Sequence, residues 1–474
     1  MAPFSSPSDK AEGGRFAVRG LVRRQAHTDP GRLRFGRGDE GMFRYIDQKR
    51  ILLIALVLTL ASCAAPTLPA ATVANSGSWI MYQRSPDHNA VLAAPSVRAW
   101  RFDAGARING GLAVVGNTLL LDTFANELIA LDVRSGKVQW RSKADNVLMS
   151  TQVVANGLVY VGSGMSGRLA GEAGPSTYAS TNLGPAGEVN PIWGRPEGDD
   201  FIAYDLTTGE KRWSYRTVGQ DMPSPAIVGD TLVFANGDLH TYGLNARTGA
   251  LQWTHAVDGL ATMASATVGP DLVYLSVCNI APYRCQTLAV NAQSGKVAWS
   301  APYGNSDSSP TYGGQRVYVS GVVNAPASLI NGGYAIIAAL DAKTGRLAWK
   351  YQTPQPGPYT EVGSSERAIA GTYANGLYYQ AIPTHDALIA FDGESGRVRW
   401  QFTSIAPIKM SPVVANGRLY AGDMAGILYE LDSASGALKS RRLFKKSFTV
   451  SPPVVLGRMV IVANDSVVYS IPIK

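Results

Sequence analysis

One eleven-residue pattern recurs seven times in this chain, and it limits the possible folds more than any other feature. ALDVRSGKVQW occupies residues 130–140. It returns as AYDLTTGEKRW (203–213), GLNARTGALQW (243–253), AVNAQSGKVAW (289–299), ALDAKTGRLAW (339–349) and AFDGESGRVRW (390–400). The seventh copy, ELDSASGALKS (430–440), has Ser440 where the others have Trp. A length of 474 residues would suit about three domains, but a fixed repeat means one stacked or closed array. The 50 glycines and the low charged fraction of 16% suit short strands and tight turns better than helices.

Each copy follows one grammar. An apolar run comes after a turn, as in VVANGLVYVG (153–162), AIVGDTLVFANG (226–237) and VVANGRLYAGD (413–423). A second alternating strand then ends in a triplet of the A-L-D type. Next comes [DN]-x-x-[ST]-G, and a last strand ends in Trp. The N-G, G-D, S-G and T-G pairs are hairpin turns. Asp132 can bond the turn amides, and Gly136 supplies the positive φ that a side chain resists. Val138 and Trp140, two apart, share one face of a strand.

Four short antiparallel strands per unit, repeating about every 40–50 residues, predict an all-β, eight-bladed β-propeller. Units begin near Val114, Val153, Ala226, Ala266, Thr311, Ile369 and Val413, and an eighth run, 452–471, lacks its outer strand. AWRFDAG (99–105) has the form of that strand, so the N-terminal strand is expected to close the ring and leave no open edge. The repeated Trp side chains are expected to be plates between blades; the alternative is a stacking surface for a ligand.

Residues 1–62 hold 11 basic and 6 acidic residues, leaving 32 and 29 for the rest. The body is therefore close to neutral, and no nucleic-acid footprint is expected. Arg44, Lys49 and Arg50 precede the apolar run ILLIALVLTL (51–60) and then Leu60-Ala61-Ser62-Cys63. A basic start, a short apolar core and small residues describe a secretory signal, too short to span a bilayer comfortably. LASC resembles a bacterial lipobox, which implies lipidation of Cys63, and Ala64 resembles an outer-membrane sorting signal. The expected organisation is an extension or misassigned start at 1–41, a signal at 42–62, a tether at 63–78 and one monomeric propeller at 79–474. Cys278 and Cys285 flank a loop between two strand-like runs, where a disulfide suits an exported protein. The cysteine and histidine spacings show no metal-site pattern.

The D-x-x-[ST]-G-x-x-x-W unit resembles the tryptophan-docking repeat of quinoprotein (PQQ-type) eight-bladed propellers over residues 79–471. With the lipobox, and with the ending GDMAGILYELDSASG…NDSVVYSIPIK, the chain is most similar overall to BamB-type outer-membrane assembly lipoproteins. That resemblance implies a lipid-anchored scaffold on the periplasmic face of the outer membrane, with outer-membrane assembly proteins as partners. It also implies that Asp307, in an Asp-x-x-Pro segment, is a contact residue. The Arg-containing loop of that family has no counterpart in GLATMASAT (259–267). Tetrathionate hydrolases resemble the same propeller, which implies as the alternative a periplasmic hydrolase of a small sulfur oxyanion. Quinoprotein dehydrogenases resemble the fold too, but the adjacent Cys-Cys pair of their cofactor site is absent, so no PQQ and no other cofactor is expected.

In a propeller, the residues before each innermost strand surround the central channel. They are Arg107 and Asn109; Asp145; Asp221 and Met222; Thr262 and Met263; Asp307; Glu361; Lys409 and Met410; and Phe448. No Ser-His-Asp set stands among them. Asp307 either acts as a general base with a raised pKa or caps the turn before Pro310. In a hydrolase, Arg107 and Lys409 would hold the anion. The insertion 163–200 carries Trp193 and is either a lid over the channel or a surface loop.

Overall fold

The computed structural model describes residues 81–92, 97–108, 110–148, 150–163, 200–217, 221–280, 283–305, 307–323, 334–357, 369–448 and 450–473. Eight antiparallel sheets follow one another along the chain. Blade 1 is built from Ala113–Val115, Thr118–Thr123, Glu127–Asp132 and Val138–Lys143, each strand pairing with the next. Blades 2 to 7 repeat this order, and their innermost strands start at Val153, Ala226, Thr267, Thr311, Thr372 and Val413. Blade 8 takes three strands from the C-terminal end, Val454–Leu456, Met459–Asn464 and Val467–Pro472. Its outer strand is Trp100–Asp103, paired antiparallel with Val467–Pro472 as the sequence led us to expect.

The repeated turn is a local device with a long-range use. The Asp132 carboxylate accepts the Ser135 amide at 2.9 Å and the Ser135 hydroxyl at 2.7 Å, while Gly136 closes the turn at φ +70°. Bared of a side chain, that glycine is a shelf for the Trp of the preceding blade. A Cβ on Gly136 would lie 2.7 Å from the Trp100 ring. The Trp100 indole N–H donates to the Val133 carbonyl at 2.9 Å. The same pairing joins Trp140 to blade 2, Trp213 to blade 3, Trp253 to blade 4, Trp299 to blade 5, Trp349 to blade 6 and Trp400 to blade 7. These side chains are therefore structural plates.

An unexpected element fills the channel. The innermost strand of a blade turns an unpaired edge towards the propeller axis, and such N–H and C=O groups need partners. Residues 81–92 supply them. The amides of Tyr312, Tyr373, Val455 and Gly457 donate to the carbonyls of Pro86, Asp87, Ala90 and Leu92 at 2.7–2.9 Å. The Asn89 amide group pairs in both directions with the backbone of Val414 at 2.8 Å. Val91–Leu92 runs parallel to Val454–Leu456 as a fifth strand of blade 8. His88 is wholly buried, with Nε2 3.0 Å from the Thr267 hydroxyl and Nδ1 3.1 Å from that of Thr311. Met81 packs with Ala226, Ala266 and Val268. This plug thus touches the innermost strands of blades 3 to 8.

Two outcomes are expected. Trp253→Ala should destabilise the ring by about 3–5 kcal/mol, and Gly295→Ala by about 1–2 kcal/mol through its φ of +67° and its contact with Trp253, both read from the denaturant midpoint. Burial pushes the His88 ring down to about 3, so the folded chain keeps it neutral while the unfolded chain protonates near 6.5. Its stabilising contribution is complete above pH 6.5 and falls as the pH drops towards 3. His88→Gln should be less stable than the parent at pH 7, and the gap should close by up to about 1.4 kcal/mol per pH unit below 6.5. A gap that does not change with pH would mean that His88 is not held neutral.

Candidate functional site

The segments leading into the innermost strands converge above the plug and form an open-mouthed cavity of about 630 Å³, counted with the solvent at its mouth. The segments before blades 1 to 7 line it with small residues, Gly110, Gly111, Thr151, Ser224, Ser265, Ser309, Ala370 and Ser411, and the segment before blade 8 contributes Val450. Their hydroxyls join one blade to the next. Gly111 N–H donates to Thr151 Oγ1 at 2.7 Å, Ser224 N–H to Ser265 Oγ at 3.0 Å and Ser265 N–H to Ser309 Oγ at 2.9 Å. Behind this lining, the buried Asp122 carboxyl accepts the Gly110 amide at 2.7 Å, and burial pushes it up to about 8.

Period two decides which larger side chains reach the mouth, because residues i and i+2 of an extended segment share a face. Met222, Met263, Asp307 and Lys409 each stand two positions before a lining serine, and all four line the cavity. Residues beside them in sequence turn away. Asp221 is wholly buried, accepting from Asn236 Nδ2 at 2.5 Å and from the Thr217 hydroxyl. Met410 is wholly buried, and its sulfur accepts the Gly422 amide at 3.0 Å. Thr262 and Phe448 are buried.

Asn305 caps the turn that carries Asp307, accepting the Asp307 amide at 2.8 Å, and the Asp307 carboxylate accepts the Thr262 hydroxyl of the preceding segment. Arg107 is exposed and lies over the Phe124 ring at 5.5 Å, away from the cavity lining. Asp145 is exposed, 3.8 Å from Lys211. Cys278 and Cys285 face each other across the Val273–Ile280 and Tyr283–Val290 pair and form a disulfide. Cys63, Asn109, Trp193 and Glu361 lie outside the described residues.

Sequence reasoning missed Tyr82 and the hydroxyl ring. Tyr82 forms the floor of the cavity, its hydroxyl 3.3 Å from Ser411 Oγ and its ring edge-on to His88 at 5.3 Å. Burial raises this phenol to about 12, so it is a neutral donor and acceptor. The ring had a visible signal, since serine recurs just before the inner strands in PSPA, ASAT, SSPT and MSPV. Tyr82 had none, because it precedes the first repeat.

Four similarities bear on this geometry. A family model described as "Outer membrane protein assembly factor BamB" matches residues 90–281, 267–382 and 384–474. Tetrathionate hydrolase of Acidithiobacillus ferrooxidans is 24% identical over 377 residues, 77% of this chain and 72% of that protein. Outer membrane protein assembly factor BamB of Moranella endobia is 24% identical over 398 residues, 79% and 89% of the two chains. The crystal structure of BamB from Moraxella catarrhalis superposes with a TM-score of 0.54 at 17% identity, covering 80% of this chain and 97% of that one, which speaks for the fold alone. The family match spans every blade, and the chain belongs to the PQQ_2 family of β-propellers, the BamB family.

Proposed function

We propose that this propeller is a protein-binding scaffold, BamB-like, in the assembly of outer-membrane β-barrel proteins. It is held by a lipid on Cys63 at the periplasmic face of the outer membrane. The observation that supports this most is the plug. The chain fills its own channel with residues 81–92, so the buried Met222 and the half-buried Met263 and Asp307 line an open-mouthed depression above it rather than a closed chamber. Two thioethers and a carboxylate on successive blades suit a partner segment lying across the rim, since thioethers pack adaptably. The reading includes no quinone. A flat tricarboxylate needs several cations, and Lys409 is the one cation among the described lining residues.

One observation favours a second reading, a hydrolase of a small sulfur oxyanion. Asp307, Lys409 and the Tyr82 phenol line one cavity, a carboxylate, a cation and a hydroxyl donor side by side. Lys409 would hold the anion, Tyr82 would donate to it, and Asp307 would take a proton from the attacking water.

The two readings predict different results. In a pull-down from gently solubilised membranes, the tagged chain should recover an outer-membrane assembly protein in stoichiometric amount, and Asp307→Ala and Met263→Ala should reduce that recovery. A clean protein without a partner would sink the scaffold. Asp221→Ala is not an interface variant. It strands Asn236 and Thr217 in the core and should cost about 1–3 kcal/mol of stability. For the second reading, purified protein should consume tetrathionate, with Asp307→Asn inactive and equally stable; no turnover by the parent excludes it.

A further inference from the structure

Between Asp432 and Asp465 the sequence has no acidic residue, yet five basic residues fall within 439–446: Lys439, Arg441, Arg442, Lys445 and Lys446. They occupy the outer strand of blade 7, Leu438–Leu443, and the loop that follows it. Charge on an edge strand discourages pairing with other chains. That need does not explain the number, because the outer strand of blade 4, Val297–Ala301, carries no charge. Lys439 reaches Asp432 at 3.9 Å. Among the described residues, Arg441, Arg442, Lys445 and Lys446 have no carboxylate at ion-pair distance.

The same place exposes apolar surface. Leu443 is 74% exposed and Ile405 63%, whereas the other exposed large apolar residues are 44–47% and all start an outer strand. Leu443 lies opposite Ile427, and Arg441 opposite Tyr429. Opposed residues in a sheet share a face, so Arg441 and Leu443 point to the side of Tyr429. The Ile405 amide donates to the Tyr429 hydroxyl at 3.1 Å, which brings Ile405 to that side. The loop is fixed in place. The Phe444 ring lies 5.0 Å from both Phe448 and Tyr469, and Asn464 bonds Lys446 N and O at 3.2 and 2.6 Å.

We infer that residues 438–447, with Ile405, form a docking surface for a membrane rich in anionic phospholipid. Leu443 and Ile405 enter the headgroup layer, and Arg441, Lys445 and Lys446 meet its phosphates. An apolar tip ringed by cations is the arrangement such a surface selects. This patch lies beyond blade 6, apart from the rim segments before blades 3 to 5 that carry Met222, Met263 and Asp307.

The test is amine labelling of the purified full chain bound to vesicles of phosphatidylcholine, with or without about one-third phosphatidylglycerol. Whatever else attaches the chain, labelling reads whether this patch touches the bilayer. Lys445 and Lys446 should be protected about fivefold or more on anionic vesicles, and Lys296 and Lys350 should not change, an effect of one basic contact or greater. Leu443→Ser or Arg441→Glu should remove the protection and leave the unfolding midpoint unchanged. Equal labelling on both vesicles would overturn the inference. So would the same protection by glycerol phosphate without a bilayer, which would indicate a free-phosphate site.

Discussion

The ring depends on one contact, a Trp ring laid on a glycine in the turn of the next blade. The turn and the plate are inseparable. An Asp or Asn bonds two turn groups, the chain reverses at a glycine with positive φ, and the absence of Cβ leaves a flat shelf beside a free carbonyl for the indole N–H. Burying an indole contributes several kcal/mol, and the hydrogen bond fixes its orientation. Blades 1 to 6 thus carry both halves, a shelf for the blade before and a plate for the blade after.

That pairing explains the one copy without Trp. Blade 8 takes its outer strand from the N-terminal side of the chain, so no D-x-x-S-G turn links its last two strands. A Trp at 440 would have no shelf to meet. Ser440 bonds Glu430 at 2.7 Å instead, and Phe444, Phe448 and Tyr469 fill the seam. Trp100 on the closing strand supplies the plate for blade 1, so seven plates serve seven turns. The seam between blades 7 and 8 is bridged by the plug, which bonds Val414 through Asn89 and the Val455 amide through the Ala90 carbonyl.

Most of this fold was legible because its code is local. Turn, strand and plate all fall within eleven residues, and the closing strand 99–105 shows the same form. The plug was not legible. Its bonds cross 179 positions from His88 to Thr267 and 325 from Asn89 to Val414, and no repeat marks it. The site was half legible. Reading the residues before each inner strand found the right segments but not the facing. Asp221 and Asp307 look alike in sequence; one is spent on its own blade, the other lines the mouth. Arg107 was expected beside Lys409, but its segment leads the guanidinium out over Phe124.

The facing follows from a packing constraint. Segments converge on one axis most closely where the residue nearest it is small, which places serine, threonine, glycine or alanine there in blades 1 to 7. In an extended segment the next residue on that face is two positions earlier, and at that distance from the axis there is room for a long side chain. The mouth can therefore vary without disturbing the ring at that one position in each blade, and in blades 3, 4, 5 and 7 it holds Met222, Met263, Asp307 and Lys409. The residues beside them, Asp221, Thr262 and Met410, are buried and held by hydrogen bonds to Asn236, Asp307 and Gly422. Freedom to vary at the mouth is thus confined to the alternate positions of the converging segments, above a floor that the chain supplies from its own N-terminal side.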